Sequence, residues 1–156
     1  APWSGGRSTS VGWKGLQLDV QFTGMFGRYM TNNERWFTEN AGFATDSNQT
    51  VNMLNMWTTP GQITDIPAAD ANMQFDTHLL EKADFVRLKT LQLSYTLPKS
   101  ILNATGFIND CKVYFVGRNL LTFTDYQGFD PEVDSNISLG NYPNTRQYSF
   151  GIQMTF

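Results

Sequence analysis

The stretch Gln147–Phe156, QYSFGIQMTF, decides the fold. Its even positions, Tyr148, Phe150, Ile152, Met154 and Phe156, are all apolar, and its odd positions, Gln147, Ser149, Gly151, Gln153 and Thr155, are small or polar. A side-chain period of two with one wholly apolar face defines a strand that separates a polar from an apolar medium. About 9–11 residues at strand rise and barrel tilt cross one hydrocarbon layer. The pattern therefore predicts a lipid-facing strand carrying Tyr148, Phe150, Ile152 and Phe156. A closing aromatic at Phe156 is what barrel-assembly machinery is expected to recognise.

Working outward, Leu16, Leu18, Val20, Phe22 and Phe26 alternate with Gln17, Asp19, Gln21 and Thr23. RSTSVGW, from Arg7, is a weaker strand turning back at Lys14–Gly15, a plausible tight hairpin. In FVRLKTLQLSYTLP, from Phe85, Leu91, Leu93 and Tyr95 alternate cleanly, whereas Val86 and Leu88 sit on the opposite parity. A bulge near Lys89, or a change of surroundings there, would account for the change. KVYFVGRNLLTF, from Lys112, is strand-like, but the pattern alone does not assign its two faces. Strands are thus expected near 7–13, 16–28, 85–97, 112–124 and 147–156, with long loops over 29–84 and 125–146.

The connections run short, long, short, long. Pro98 stops a strand before a short link with one helical turn near Ser100–Ala104. The long loops contain a short helix near Val51–Trp57 and a run rich in Asp, Asn, Gly and Pro. Short turns on one side and long loops on the other are the asymmetry of an outer-membrane barrel. With Phe156 at the periplasmic side, both long loops lie outside the cell. Five strands form a curved sheet with two edges, not a closed barrel, since single-chain bacterial barrels begin at about eight strands.

Composition agrees. Of 156 residues, 40% are hydrophobic and 16% charged, with a net charge of −3. No basic stripe suits nucleic acid. No run of about 18 apolar residues exists to span a bilayer as a helix, which leaves barrels open because their strands alternate. Cys111 and His78 are single in their kinds, so neither a disulfide nor a zinc cluster of cysteines forms within the chain. The opening APWSGG lacks the features of a signal peptide; an exported protein carries one, so this chain is expected to have lost it or to be a piece of something longer.

These motifs together resemble the C-terminal end of the SusC/RagA-type TonB-dependent outer-membrane transporters of Bacteroidetes. The matching stretches are PWSGGRSTSVGWKGLQLDVQFTGMFG from Pro2, WTTPGQITDIP from Trp57 and DFVRLKTLQLSYTLPKSIL from Asp84, followed by VYFVGRNLLTFTDYQGFDPEV from Val113 and NYPNTRQYSFGIQMTF from Asn141. They cover most of the chain in the family's order; the Tyr29–Gln74 loop departs. The resemblance implies an all-β fold, about the last five antiparallel strands of a plugged barrel of about 22 strands. It also implies nutrient import energised by TonB, a SusD-like surface lipoprotein as partner, an oligosaccharide or peptide as substrate, and a place in the outer-membrane lipid. Transport itself would need the missing plug and wall.

The remaining candidates are weighed against plainer roles. His78 has no companion histidine, Cys111 reads as a small buried side chain, and no grouping of nucleophile, base and orienter is legible; neither enzyme activity nor a cofactor is expected. Asp130, Glu132 and Asp134 alternate as calcium ligands can, but Ser135 holds the position where a calcium loop needs glycine. Solvated carboxylates, or pairs with Arg118 or Arg146, are the simpler reading. Trp36, Trp57 and Tyr126 are the aromatics expected to touch substrate from the extracellular loops. Phe129 and Tyr142 fit loop packing or the aromatic girdle better. The rival to the barrel is a soluble β-sandwich that binds carbohydrate, which would bury its apolar faces against a second sheet.

Overall fold

The computed structural model describes residues 3–72, 74–104 and 106–156. Pro2, which opens the first family-like motif, and Thr105, which completes an Asn-x-Thr triplet begun at Asn103, lie outside them. The described residues fall into two compact units, one of residues up to Phe26 with Phe85–Thr124 and Asn144–Phe156, the other of Gly27–Asp84 with Asp125–Pro143.

The first unit is a five-stranded antiparallel sheet in the order β1-β2-β5-β6-β7. Its strands are β1 (Trp3–Trp13), β2 (Leu16–Phe26), β5 (Phe85–Thr96), β6 (Asp110–Thr124) and β7 (Gln147–Thr155). β1 begins well before Arg7, because it pairs along its whole length with β2, from Trp3 opposite Phe26 to Trp13 opposite Leu16. The glycines of WSGG hide this strand from propensity, but the ladder supplies what they lack. Lys14 and Gly15 both take positive φ, 45° and 86°, the conformation of a two-residue hairpin whose twist matches its strands.

Register sorts the side chains onto two faces. Val11, Leu18, Leu93, Phe115 and Phe150 form one row across all five strands, and Trp13, Leu16, Tyr95, Val113 and Ile152 form the next. The Phe115 ring packs between Tyr148 and Phe150, at centroid distances of 6.2 and 5.0 Å. The opposite face carries Ser10, Asp19, Gln92, Val116 and Ser149 in one row, with Gln17, Ser94, Tyr114 and Gly151 in the next. The bulge expected near Lys89 is present: register shifts between Leu88 and Thr90. It carries Leu88 and Val86 onto the apolar face opposite Phe22 and Gly24. On β6 the same irregularity holds Asn119 at φ 53°. Leu120 there fills the space above Gly117, closing a gap in the apolar row.

The second unit has its own small sheet, β3 (Tyr29–Thr31) against β4 (Leu80–Lys82). These strands were hidden within the expected loop 29–84, since three residues are too few to display a period. Between them lie a short helix α1 (Asn33–Thr38) and 3-10 turns at Ala41–Phe43, Val51–Asn55 and Thr77–Leu79. In the first unit a helical turn α2 (Lys99–Leu102) follows Pro98. The second unit's core gathers Met30, Ala83 and Tyr126, with Val133 packed against them.

Candidate functional site

The two faces of the sheet pose opposite problems. Among the described residues most of the apolar face is uncovered: Phe150 is 80% exposed and Trp13 68%, while Leu88 and Cys111 on it are buried. Contiguous apolar surface on this scale marks contact with lipid or another protein. The polar face holds a shallow cleft lined by Ser8, Ser10, Asp19, Gln21, Thr90 and Gln92. There Asp19 accepts hydrogen bonds from the Ser10 hydroxyl and, on both oxygens at 3.0 Å, from the Gln17 amide.

The second unit is organised by Arg35. Its Nε meets Glu39 Oε2 at 2.7 Å, one turn along α1. Nη1 reaches Glu81 Oε1 at 3.2 Å and the His78 carbonyl at 3.3 Å, and Nη2 reaches Asp65 at 3.5 Å. Burial works against the guanidinium's charge, but Glu39 and Glu81 outweigh it and raise the Arg35 pKa. Glu39 in turn accepts from Asn52 Nδ2 at 2.7 Å and from Thr50 Oγ1 at 3.3 Å. Glu81 accepts from Asn32 Nδ2 at 3.1 Å and from the Gln127 backbone N–H at 3.0 Å. The guanidinium thereby joins α1 to Asp65 and to the stretch from His78 to Glu81. Beside it opens a cleft of about 250 Å³ whose walls are Asn32, Glu34, Arg35, Glu39, Asn52 and Phe129.

The residues singled out from sequence do not converge. Trp36 is half-buried, edge-on to Phe75 at 5.8 Å. Trp57 is 38% exposed, in a segment whose return is held by its backbone N–H on the Ile66 carbonyl. Tyr126 is 6% exposed, in the core with Met30 and Ala83, its ring lying directly over Gly128. A ring buried this way packs the loop and offers substrate no face, so the expected contact through Tyr126 is revised to packing. Asp130 accepts from the Glu132 backbone N–H at 2.8 Å, a local turn. Among the described residues no group of three His, Cys, Asp or Glu side chains is placed to hold a metal ion. Cys111 is buried on the apolar face beside Met154, and His78 Nδ1 lies 2.5 Å from Asp76 Oδ1. Sequence reasoning missed Arg35, Glu39 and Glu81; the only local signal was the i, i+4 spacing of Arg35 and Glu39.

At the base of this unit Asp84 accepts the Arg28 backbone N–H at 2.9 Å and pairs with Lys82 at 3.1 Å. The Arg28 N–H is the larger influence holding the Asp84 carboxyl below its ordinary value; burial opposes it, and Lys82 adds to it. A depressed folded pKa contributes stability that is complete above the ordinary carboxylate range. That stability is lost as pH falls through the lowered value. Exchange protection of the Arg28 amide is therefore expected to weaken below about pH 4. In Asp84→Asn that acid dependence disappears; its persistence would assign the effect to another carboxylate.

No family model matches the chain. It is similar to TonB-dependent receptor P3 of Formosa agariphila, 37% identical over 123 residues, which is 70% of this chain and 12% of that protein. TonB-dependent receptor P39 of the same organism is 25% identical over 99% of this chain and 16% of its own length. Among solved structures, the RagAB peptide importer in its closed-closed state matches with a TM-score of 0.89 and 47% identity, over 98% of this chain and 17% of that one. Its open-open state matches equally. The chain thus spans less than a fifth of the length of these relatives. Sheet and relatives together define the class: the chain is a segment of a TonB-dependent receptor. Within that class it belongs to the SusC/RagA type, as its motifs indicate and the 47% identity bears out.

Proposed function

We propose that residues 1–156 are the C-terminal part of the β-barrel of an outer-membrane nutrient importer in a Bacteroidetes-like bacterium. The five strands take their place in a barrel of about 22, and the second unit, built from the two long connections, faces outward from the cell. Import is energised by TonB through parts outside this chain, and a SusD-like lipoprotein works at the extracellular mouth. The substrate is an oligosaccharide or a peptide, and the likeness to a peptide importer favours the peptide. Trp36 and Trp57 are the aromatic contacts proposed for substrate or lid.

The observation that carries this reading is the division of one sheet into a polar face and an apolar face most of which is exposed. A wall between lipid and an aqueous lumen needs that division. A soluble sandwich would need a second sheet over Phe150 and Trp13, both exposed here.

The test is made on the full-length protein in its own outer membrane. It is expected to fractionate with that membrane, to migrate faster unheated than heated, and to support peptide uptake that ceases when TonB is deleted. Uptake unchanged without TonB would sink the energised-import reading; a soluble, monomeric full-length protein would sink the barrel.

A further inference from the structure

We infer that the cleft beside Arg35 is a subsite for the amino end of a peptide, a primary ammonium group held by hydrogen-bond acceptors. The inference rests on the importer reading above and narrows its substrate. At about 250 Å³ the cleft is smaller than the roughly 300–1,000 Å³ of pockets that enclose a whole small ligand. It suits one end of a longer one.

The lining is biased towards acceptors. The Arg35 N–H groups are engaged by Glu39, Glu81, Asp65 and the His78 carbonyl, and the Asn32 amide nitrogen donates to Glu81. Asn32 is 2% exposed, lines the cleft, and its Oδ1 accepts no hydrogen bond. A buried carbonyl oxygen without a donor is costly, so this one favours a ligand that brings a donor. Glu34 accepts the Gly140 N–H at 2.9 Å on one oxygen and the Ser138 hydroxyl on the other, and a carboxylate with about four lone-pair sites has capacity left.

Charge points the same way. Glu34 and Glu39 face the cleft with Arg35, whose own charge is also shared with Glu81 and Asp65. The charged side chains lining the cleft are two carboxylates against one guanidinium. A sugar hydroxyl is neutral and must both give and accept, whereas an ammonium offers three donors and a positive charge. Phe129, 68% exposed at the same cleft, adds a ring face for the cation.

The test uses the full-length transporter in detergent and calorimetric titration with Ala-Ala-Ala, its N-acetylated form and maltotriose. The free amine is expected to bind about tenfold tighter than the acetylated peptide, as one charge-assisted hydrogen bond implies. Glu34→Gln removes the charge, yet its amide can still serve Gly140 and Ser138. It is expected to bring that preference close to unity, and Asn32→Leu to do the same. Heat-modifiable migration reports whether each variant folds, and if Asn32→Leu does not, Glu34→Gln decides. Equal binding of both peptides, the outcome if Asn32 holds only a trapped water, overturns the subsite and leaves peptide import standing. A preference that survives in Glu34→Gln overturns it too. Binding of maltotriose with neither peptide bound overturns the peptide reading itself.

Discussion

On the proposed assignment of the apolar face to lipid, replacing Leu93 with Arg in the full-length protein is expected to cost about 2–4 kcal/mol of stability, the range for a cation on a barrel's lipid face near the midplane. Leu93 stands in the row Val11, Leu18, Leu93, Phe115 and Phe150, with apolar rows on both sides of it. A guanidinium there has no water and no carboxylate in its row. Gln92→Arg, one residue away, is the control. Gln92 belongs to the polar face and pairs in register with Asp19, so the same substitution is expected to change stability by less than about 1 kcal/mol. Urea titration of the purified barrel, read by heat-modifiable migration, measures both. Equal effects at the two positions would mean that this sheet does not separate lipid from water.

The contrast between Leu93 and Gln92 was already legible in the sequence, because a period of two is a property of each strand alone. The same holds for the Lys89 bulge, where the apolar positions change parity within one strand. The faces of β6 were not legible. Asn119 at positive φ and Leu120 folded over Gly117 break the period, and only the pairing with β5 restores it. β1 was read short because its glycines carry no side chain to alternate. Least legible was the second unit, whose contacts join residues far apart in the chain. Arg28 Nη2 bonds the Val133 and Ser135 carbonyls, and Arg35 joins Glu81. No local pattern encodes such pairs. For the same reason Tyr126 reads as a loop aromatic open to substrate, while Met30, Ala83 and Val133 bury it.

Those distant pairs carry the second large expected effect. Arg35→Met is expected to destabilise the Gly27–Asp84 and Asp125–Pro143 unit by about 3–5 kcal/mol, the range for removing one partner of a buried ion pair. The Arg35 side chain is 12% exposed, Glu39 3% and Glu81 13%, so solvent screens these charges little. Without the guanidinium, Glu39 keeps only the neutral donors Asn52 and Thr50, too few to replace a cation. The loss should appear as faster exchange of the Thr50 amide on the Thr38 carbonyl and of the Asn32 amide on the Leu79 carbonyl. Asp65→Asn supplies the contrast. That carboxylate is 79% exposed at 3.5 Å, and its loss should change little, within about 0.5 kcal/mol. Adding Glu39→Gln to Arg35→Met removes the stranded charge and is expected to recover part of the loss, a coupling that a cycle of the two substitutions isolates. Additive effects in that cycle would show that Arg35 stabilises the unit by packing its methylenes rather than by holding Glu39.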